Sequence, residues 1–72
     1  MTSGLLGAEE PRRTVINLAF LTAYRHGRQA FRQGALRRPP YAAGGWGDNY
    51  RHYWRVGWDD AQAGHAERYA AK

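Results

Sequence analysis

Cysteine is absent from this chain, which excludes disulfide staples and thiolate metal sites. Lysine occurs once, at Lys72, so nearly all the positive charge is guanidinium. Acids are scarce in the middle: between Arg12 and Arg55 stand nine arginines and a single acid, Asp48. No apolar run is long enough to span a bilayer, since the longest, Val15 to Leu21, is short and broken by Asn17. Arg12-Arg13 before that run is followed by no small-residue cleavage site, so a mature cytoplasmic protein is expected. Histidine occurs at His26, His52 and His65 only, without H-x-x-x-H spacing, and offers no metal centre. Asp59 and Asp60 are neighbours that diverge by about 100° on a helix, so they cannot serve one site as acid and base. Gly44-Gly45-Trp46-Gly47 lacks the Lys-Ser/Thr of a phosphate-cradling loop. No catalyst, cofactor, metal or small-molecule substrate is therefore expected, and the chain reads as a binding protein rather than an enzyme.

What is present is charge and aromatic surface. The 72 residues carry a net charge of +5 and are 14% aromatic. That aromatic content argues for a folded chain. The length allows one small domain whose own core is marginal, so a partner surface is a natural source of further stability. Arginine binds phosphate through a planar fork and stacks on bases, where lysine offers a point charge. An Arg-rich stretch interleaved with aromatics, as in Tyr50-Arg51-His52-Tyr53-Trp54-Arg55, suits an anionic polymer with unpaired bases. The same aromatics also suit a core.

The pattern predicts an all-α fold: an antiparallel two-helix hairpin, residues 11–72, with a Pro/Gly-rich loop and a flexible tail over residues 1–10. Pro11 can open helix one, no proline interrupts from about Arg12 to Leu36, and Pro39-Pro40 close it before Arg38. Residues 38–47 form the loop, and Asp48 is expected to cap a second helix running to about Tyr69. At helical spacing, Ile16, Phe20, Ala23, Gly27, Ala30 and Gly34 share one face. Tyr50, Trp54, Gly57, Ala61 and Gly64 share a face of the second helix. In an antiparallel pair each large residue would meet a small one, and Gly27 would lie against Gly57 at close backbone approach. Arg25, Arg28 and Arg32 then form an outward stripe. Arg37, Arg38, Arg51 and Arg55 gather at the loop end, with Arg37 offsetting a helix dipole and Arg55 able to pair with Asp59 at i,i+4.

Gly27, Ala30 and Gly34, then Pro40-Tyr41, then Trp54-Arg-Val-Gly57-Trp58 followed by an acid and Ala61 make an ordered set. In that order and spacing the chain resembles the ribosome modulation factor family over roughly Arg25 to Ala63. Pro39 stands where the family has Cys, Gly44-Gly45-Trp46-Gly47 lengthens the loop, and Thr14 to Thr22 replaces a basic N-terminus. The resemblance implies a two-helix stationary-phase protein that binds small-subunit rRNA and neighbouring ribosomal proteins, favouring ribosome inactivation or hibernation under stress. The expected contacts are Arg25, Arg28, Arg32, Arg37, Arg38, Arg51 and Arg55 on phosphates, with Tyr41, Trp46 and Trp58 on bases or ribosomal protein. Trp54 is expected in the core. A second copy of the chain stays open as a partner. The alternative is a phage or mobile-element interaction module that inhibits a host protein, using Val15 to Leu21 as its interface. A DNA-binding fragment ranks last, because two helices lack the third that supports a helix-turn-helix.

Overall fold

The computed structural model describes residues 12–72; the expected tail and the Pro11 helix start lie outside them. The order is β1 (Thr14–Ile16), α1 (Leu18–Arg32), α2 (Trp46–Ala63) and β2 (Tyr69–Ala71). The all-α expectation is thus corrected by a small two-stranded sheet. Its strands are parallel, with Thr14 opposite Tyr69 and Ile16 opposite Ala71. Helix one does not begin near Arg12, because Thr14-Val15-Ile16 is a β-branched run that favours extended backbone. Asn17 then caps α1: its side-chain oxygen accepts the Ala19 N–H at 2.7 Å. Asn17→Ala should cost about 1 kcal/mol in urea unfolding. An unchanged midpoint would mean that the sheet alone fixes where the helix starts.

Both helices end on glycines in the left-handed region, Gly34 at φ 79 and Gly64 at φ 76. The Ala35 N–H reaches the Ala30 carbonyl and the His65 N–H the Asp60 carbonyl, each at 2.9 Å, which is the Schellman arrangement. These two glycines therefore cap helices and do not belong to the seam, and α2 stops well short of Tyr69. At the other end of α2 the cap is Gly45 rather than Asp48. Asp48 sits in the first turn, and its carboxylate reaches back to accept the Gly44 N–H at 2.7 Å.

The helices do not form an antiparallel hairpin. Phe20, near the start of α1, lies 6.0 Å from the ring of Trp46, the first residue of α2. Phe31, near the end of α1, lies edge-on to Trp58 at 5.2 Å. Contacts thus advance in the same direction along both helices. Residues 33–45 run back alongside α2: Trp58 Nε1 donates to the Ala35 carbonyl at 3.0 Å, and Arg51 Nη1 donates to the Tyr41 carbonyl at 2.7 Å. The large-against-small matching expected of an antiparallel seam gives way to an aromatic cluster, in which Phe20 stacks on Tyr53 at 5.0 Å and meets Tyr50 edge-on at 5.5 Å.

The central expectation of the seam does hold. A Cβ on Gly27 would collide with the Trp54 carbonyl, and a Cβ on Gly57 with the Tyr24 carbonyl. The two backbones touch there with no room for a side chain. Around this point Ile16, Leu21 and Tyr24 form the core, with Phe20, Tyr53, Val56 and Tyr69 packed against it. Trp54 is buried, as expected. Among the described residues no helix is long and apolar enough to cross a membrane.

Candidate nucleic-acid interface

The arginines from Arg25 onward fall into three groups according to what the fold does with them. The first is interior. Asp60 is only 3% exposed, yet it is ionisable and must be satisfied. Arg68 grips it with both Nε, at 2.8 Å, and Nη2, and the Tyr24 hydroxyl donates to Oδ2 at 2.7 Å. That hydroxyl accepts in turn from Arg28 Nη1 at 3.3 Å and from the Arg68 backbone N–H at 3.2 Å, which uses its full capacity. Burial alone would push the Asp60 carboxyl up, but the hydrogen bonds from Arg68 and Tyr24 outweigh it and hold the group below its usual range. Burial and the Asp60 carboxylate push the Tyr24 phenol up, so it stays protonated.

Arg28 belongs to this interior group, which corrects the outward stripe. It is 7% exposed and its guanidinium lies 5.7 Å from the Tyr24 ring centroid. The C-terminal segment with β2 packs over this flank of α1, setting Tyr69 edge-on to Tyr24 at 5.0 Å. A guanidinium held there cannot reach a phosphate without opening the fold.

The second group is exposed but engaged. Arg25 pairs with Glu67 at 3.2 Å. Arg37 takes Asp59 in bidentate fashion, Nε and Nη2 each at 2.8 Å, so Asp59 answers Arg37 across the loop rather than Arg55 within α2. These are surface pairs, and a competing phosphate could replace the carboxylate at small cost.

The third group has no carboxylate partner among the described residues, although Arg51 donates to the Tyr41 carbonyl. None of the three ion pairs among the described residues uses Arg32, Arg38, Arg51 or Arg55. Arg32 and Arg38 are exposed, while Arg51 and Arg55 are half-buried on the side of α2 along which the loop returns. Of the aromatics expected to face a partner, Trp46 is the most open, 70% exposed. Tyr41 is half-buried, 5.6 Å from Tyr50. Trp58 is half-buried too, with its ring against Phe31 and its indole N–H already donating to Ala35.

Beside these residues an open cleft of about 450 Å³ lies between α1 and a wall made by the returning loop and the first turns of α2. Leu18, Ala19, Thr22, Ala23 and His26 line one side, Tyr41 and Tyr50 the other. Sequence reasoning placed Tyr41 at an interface but missed His26 and Tyr50 beside it. The available signal was the small-residue spacing of Ala19 and Ala23, which leaves a hollow only if an aromatic stands across from it. A second cavity of about 330 Å³ is lined by Arg12, His65, Ala66, Glu67 and Arg68. Among the described residues no group of three His, Asp or Glu could hold a metal ion. No family model, curated protein or solved structure matches the chain.

Proposed function

We propose that the protein is a cytoplasmic translation regulator of the ribosome modulation factor kind, which binds small-subunit rRNA and holds ribosomes in an inactive, hibernating state. The observation that carries this reading is the charge surplus that remains after internal pairing. Arg32, Arg38, Arg51 and Arg55 stand outside the ion pairs formed among the described residues, and Trp46 is open to solvent. Guanidinium groups of this kind neutralise RNA phosphates, and an open indole can stack on an unpaired base. Occupying the site is enough for the effect, so no reacting group is required. Of the residues that carry the sequence resemblance, Gly27 and Gly57 form the helix contact, while Gly34 caps α1.

Charge reversal is the direct test. The double variant Arg32→Glu/Arg38→Glu should co-sediment with small ribosomal subunits several-fold more weakly. The slope of log affinity against log salt should become shallower by roughly 2, on the order of one per lost phosphate contact. Unchanged co-sedimentation would overturn the reading. Arg28 is unsuited to this test, because its reversal would place an acid in the interior.

The exposed Val15 and Leu18, 54% and 64% accessible, favour a second reading as a phage or mobile-element module that covers a host protein. An apolar contact of that kind would be nearly insensitive to added salt, whereas rRNA binding falls steeply with it.

A further inference from the structure

The cleft has α1 on one side and, on the other, Tyr41 of segment 33–45 and Tyr50 of α2. Its α1 wall is low, because Ala19, Thr22 and Ala23 project little beyond the backbone. Its opposite wall is two phenol rings. Leu18, at its edge, is largely exposed even though the cleft is otherwise apolar. No carboxylate lines it. His26 and the two hydroxyls supply polar edges without charge repulsion toward an anion. It is a shallow groove of about 450 Å³, open to solvent along one side, so a flat ring could enter without the fold opening.

We propose that this cleft takes one unpaired nucleobase of a single-stranded RNA, with the ring stacked against Tyr41 and Tyr50 and its polar edge toward His26. The proposal rests on the RNA-binding reading above and gives it a specific site. A base has two apolar faces and a hydrogen-bonding rim, which matches a lining of flat rings with polar tips. An aliphatic side chain from a protein partner would use the walls and leave the tips unpaired. Charge agrees with the choice of occupant. Arg51 donates to the carbonyl of Tyr41, a residue of the cleft wall, and Arg55 follows one turn later on α2. That spacing of the two arginines suits the phosphates flanking an inserted base. Burial, with a smaller contribution from Tyr50, pushes the Tyr41 phenol above its ordinary value, so at neutral pH it is a hydrogen-bond donor. The site also explains why the loop is stapled by Arg37 and Arg51 rather than left loose: the far wall has to be in place before the base arrives.

The test uses the full chain with two labelled strands of equal length and charge, read by fluorescence anisotropy. One is a short oligoadenylate, and the other has its central nucleotides replaced by abasic units. Wild-type protein should bind the oligoadenylate more tightly. Tyr41→Ala should remove about ten-fold of that affinity, in line with the loss of one stacked base, and leave the abasic strand unaffected. Thr22→Trp, which fills the cleft from its exposed rim and keeps both phenols, should do the same. Arg32→Glu/Arg38→Glu should weaken both strands alike. Equal affinity of the wild type for the two strands, or a Thr22→Trp variant that binds oligoadenylate normally, would overturn the cleft assignment and leave the charge-based reading standing. Failure of both strands to bind wild-type protein would overturn the RNA-binding reading and the cleft with it.

Discussion

Gly57→Ala is expected to leave the protein largely unfolded at room temperature, a loss of about 3 kcal/mol or more. The sign makes this a sharp test. At an ordinary helical site the same change stabilises by roughly 1 kcal/mol, because alanine restricts the unfolded chain and favours the helix. Here the added methyl would fall on the Tyr24 carbonyl, and backbone cannot step aside as a side-chain tip can. The helices would have to separate, and a domain this small has only a few kcal/mol in reserve. Gly27→Ala should behave alike, since its methyl would meet the Trp54 carbonyl at the same contact. The double variant should cost less than the two losses together, because one separation relieves both clashes. Circular dichroism and urea denaturation would read this. A Gly57→Ala protein at least as stable as wild type would show that the helices do not touch there.

Asp60→Asn has the second largest expected effect, a loss of about 2–3 kcal/mol. Breaking a fully buried pair costs about 3–5 kcal/mol, but the Arg68 guanidinium is half exposed and screened by water. The same carboxyl predicts a pH dependence. Its folded value lies below its unfolded one, so its contribution is complete above the unfolded value, near 4, and disappears as pH falls through the folded value. Tyr24 acts on the alkaline side. Its folded value is raised, so its contribution is complete below about pH 10 and is lost as pH climbs through the raised value. Denaturation midpoints measured across pH should therefore show wild-type protein losing stability below about pH 4, with the Asp60→Asn variant flatter in that window. Parallel acid profiles would assign the titration to another carboxyl.

The sequence made the Gly27–Gly57 contact legible but not the direction of the helices through it. A contact at the middle of two seams is unchanged when one helix is reversed end for end, and only the flanking pairs move. The aromatic cluster of Phe20, Tyr50 and Tyr53 exists because α2 runs the same way as α1. One clue was length: residues 33–45 are more than an antiparallel pair needs, since helix connections of that type take about 2–8 residues. Thr14-Val15-Ile16 carried a strand signal that its apolar continuity with α1 concealed. Gly34 and Gly64 matched the seam period by coincidence, while their places after Gln33 and Ala63 are the helix-stop signature.

The candidate interface was legible in its amount of charge and less so in its arrangement. Projection put Arg28 in a stripe pointing away from the second helix, whereas that helix meets the Arg28 backbone at Gly57. The Arg28 guanidinium joins the cluster of Tyr24, Asp60 and Arg68, which come from three separate segments, so its burial could not be read from α1 alone. Among the described residues no element lies over Arg32 or Arg38, and both are exposed.

The pairing of Thr14–Ile16 with Tyr69–Ala71 has a consequence for how the molecule comes into being. A nascent chain can wind α1 and then α2 as each becomes available, but it cannot join these strands until Ala71 has been translated. Until then Tyr24 and Asp60 lack Arg68. Closing a loop of this span should make acquisition of the native state late and all-or-none, slower than for a pair of helices joined by a tight turn.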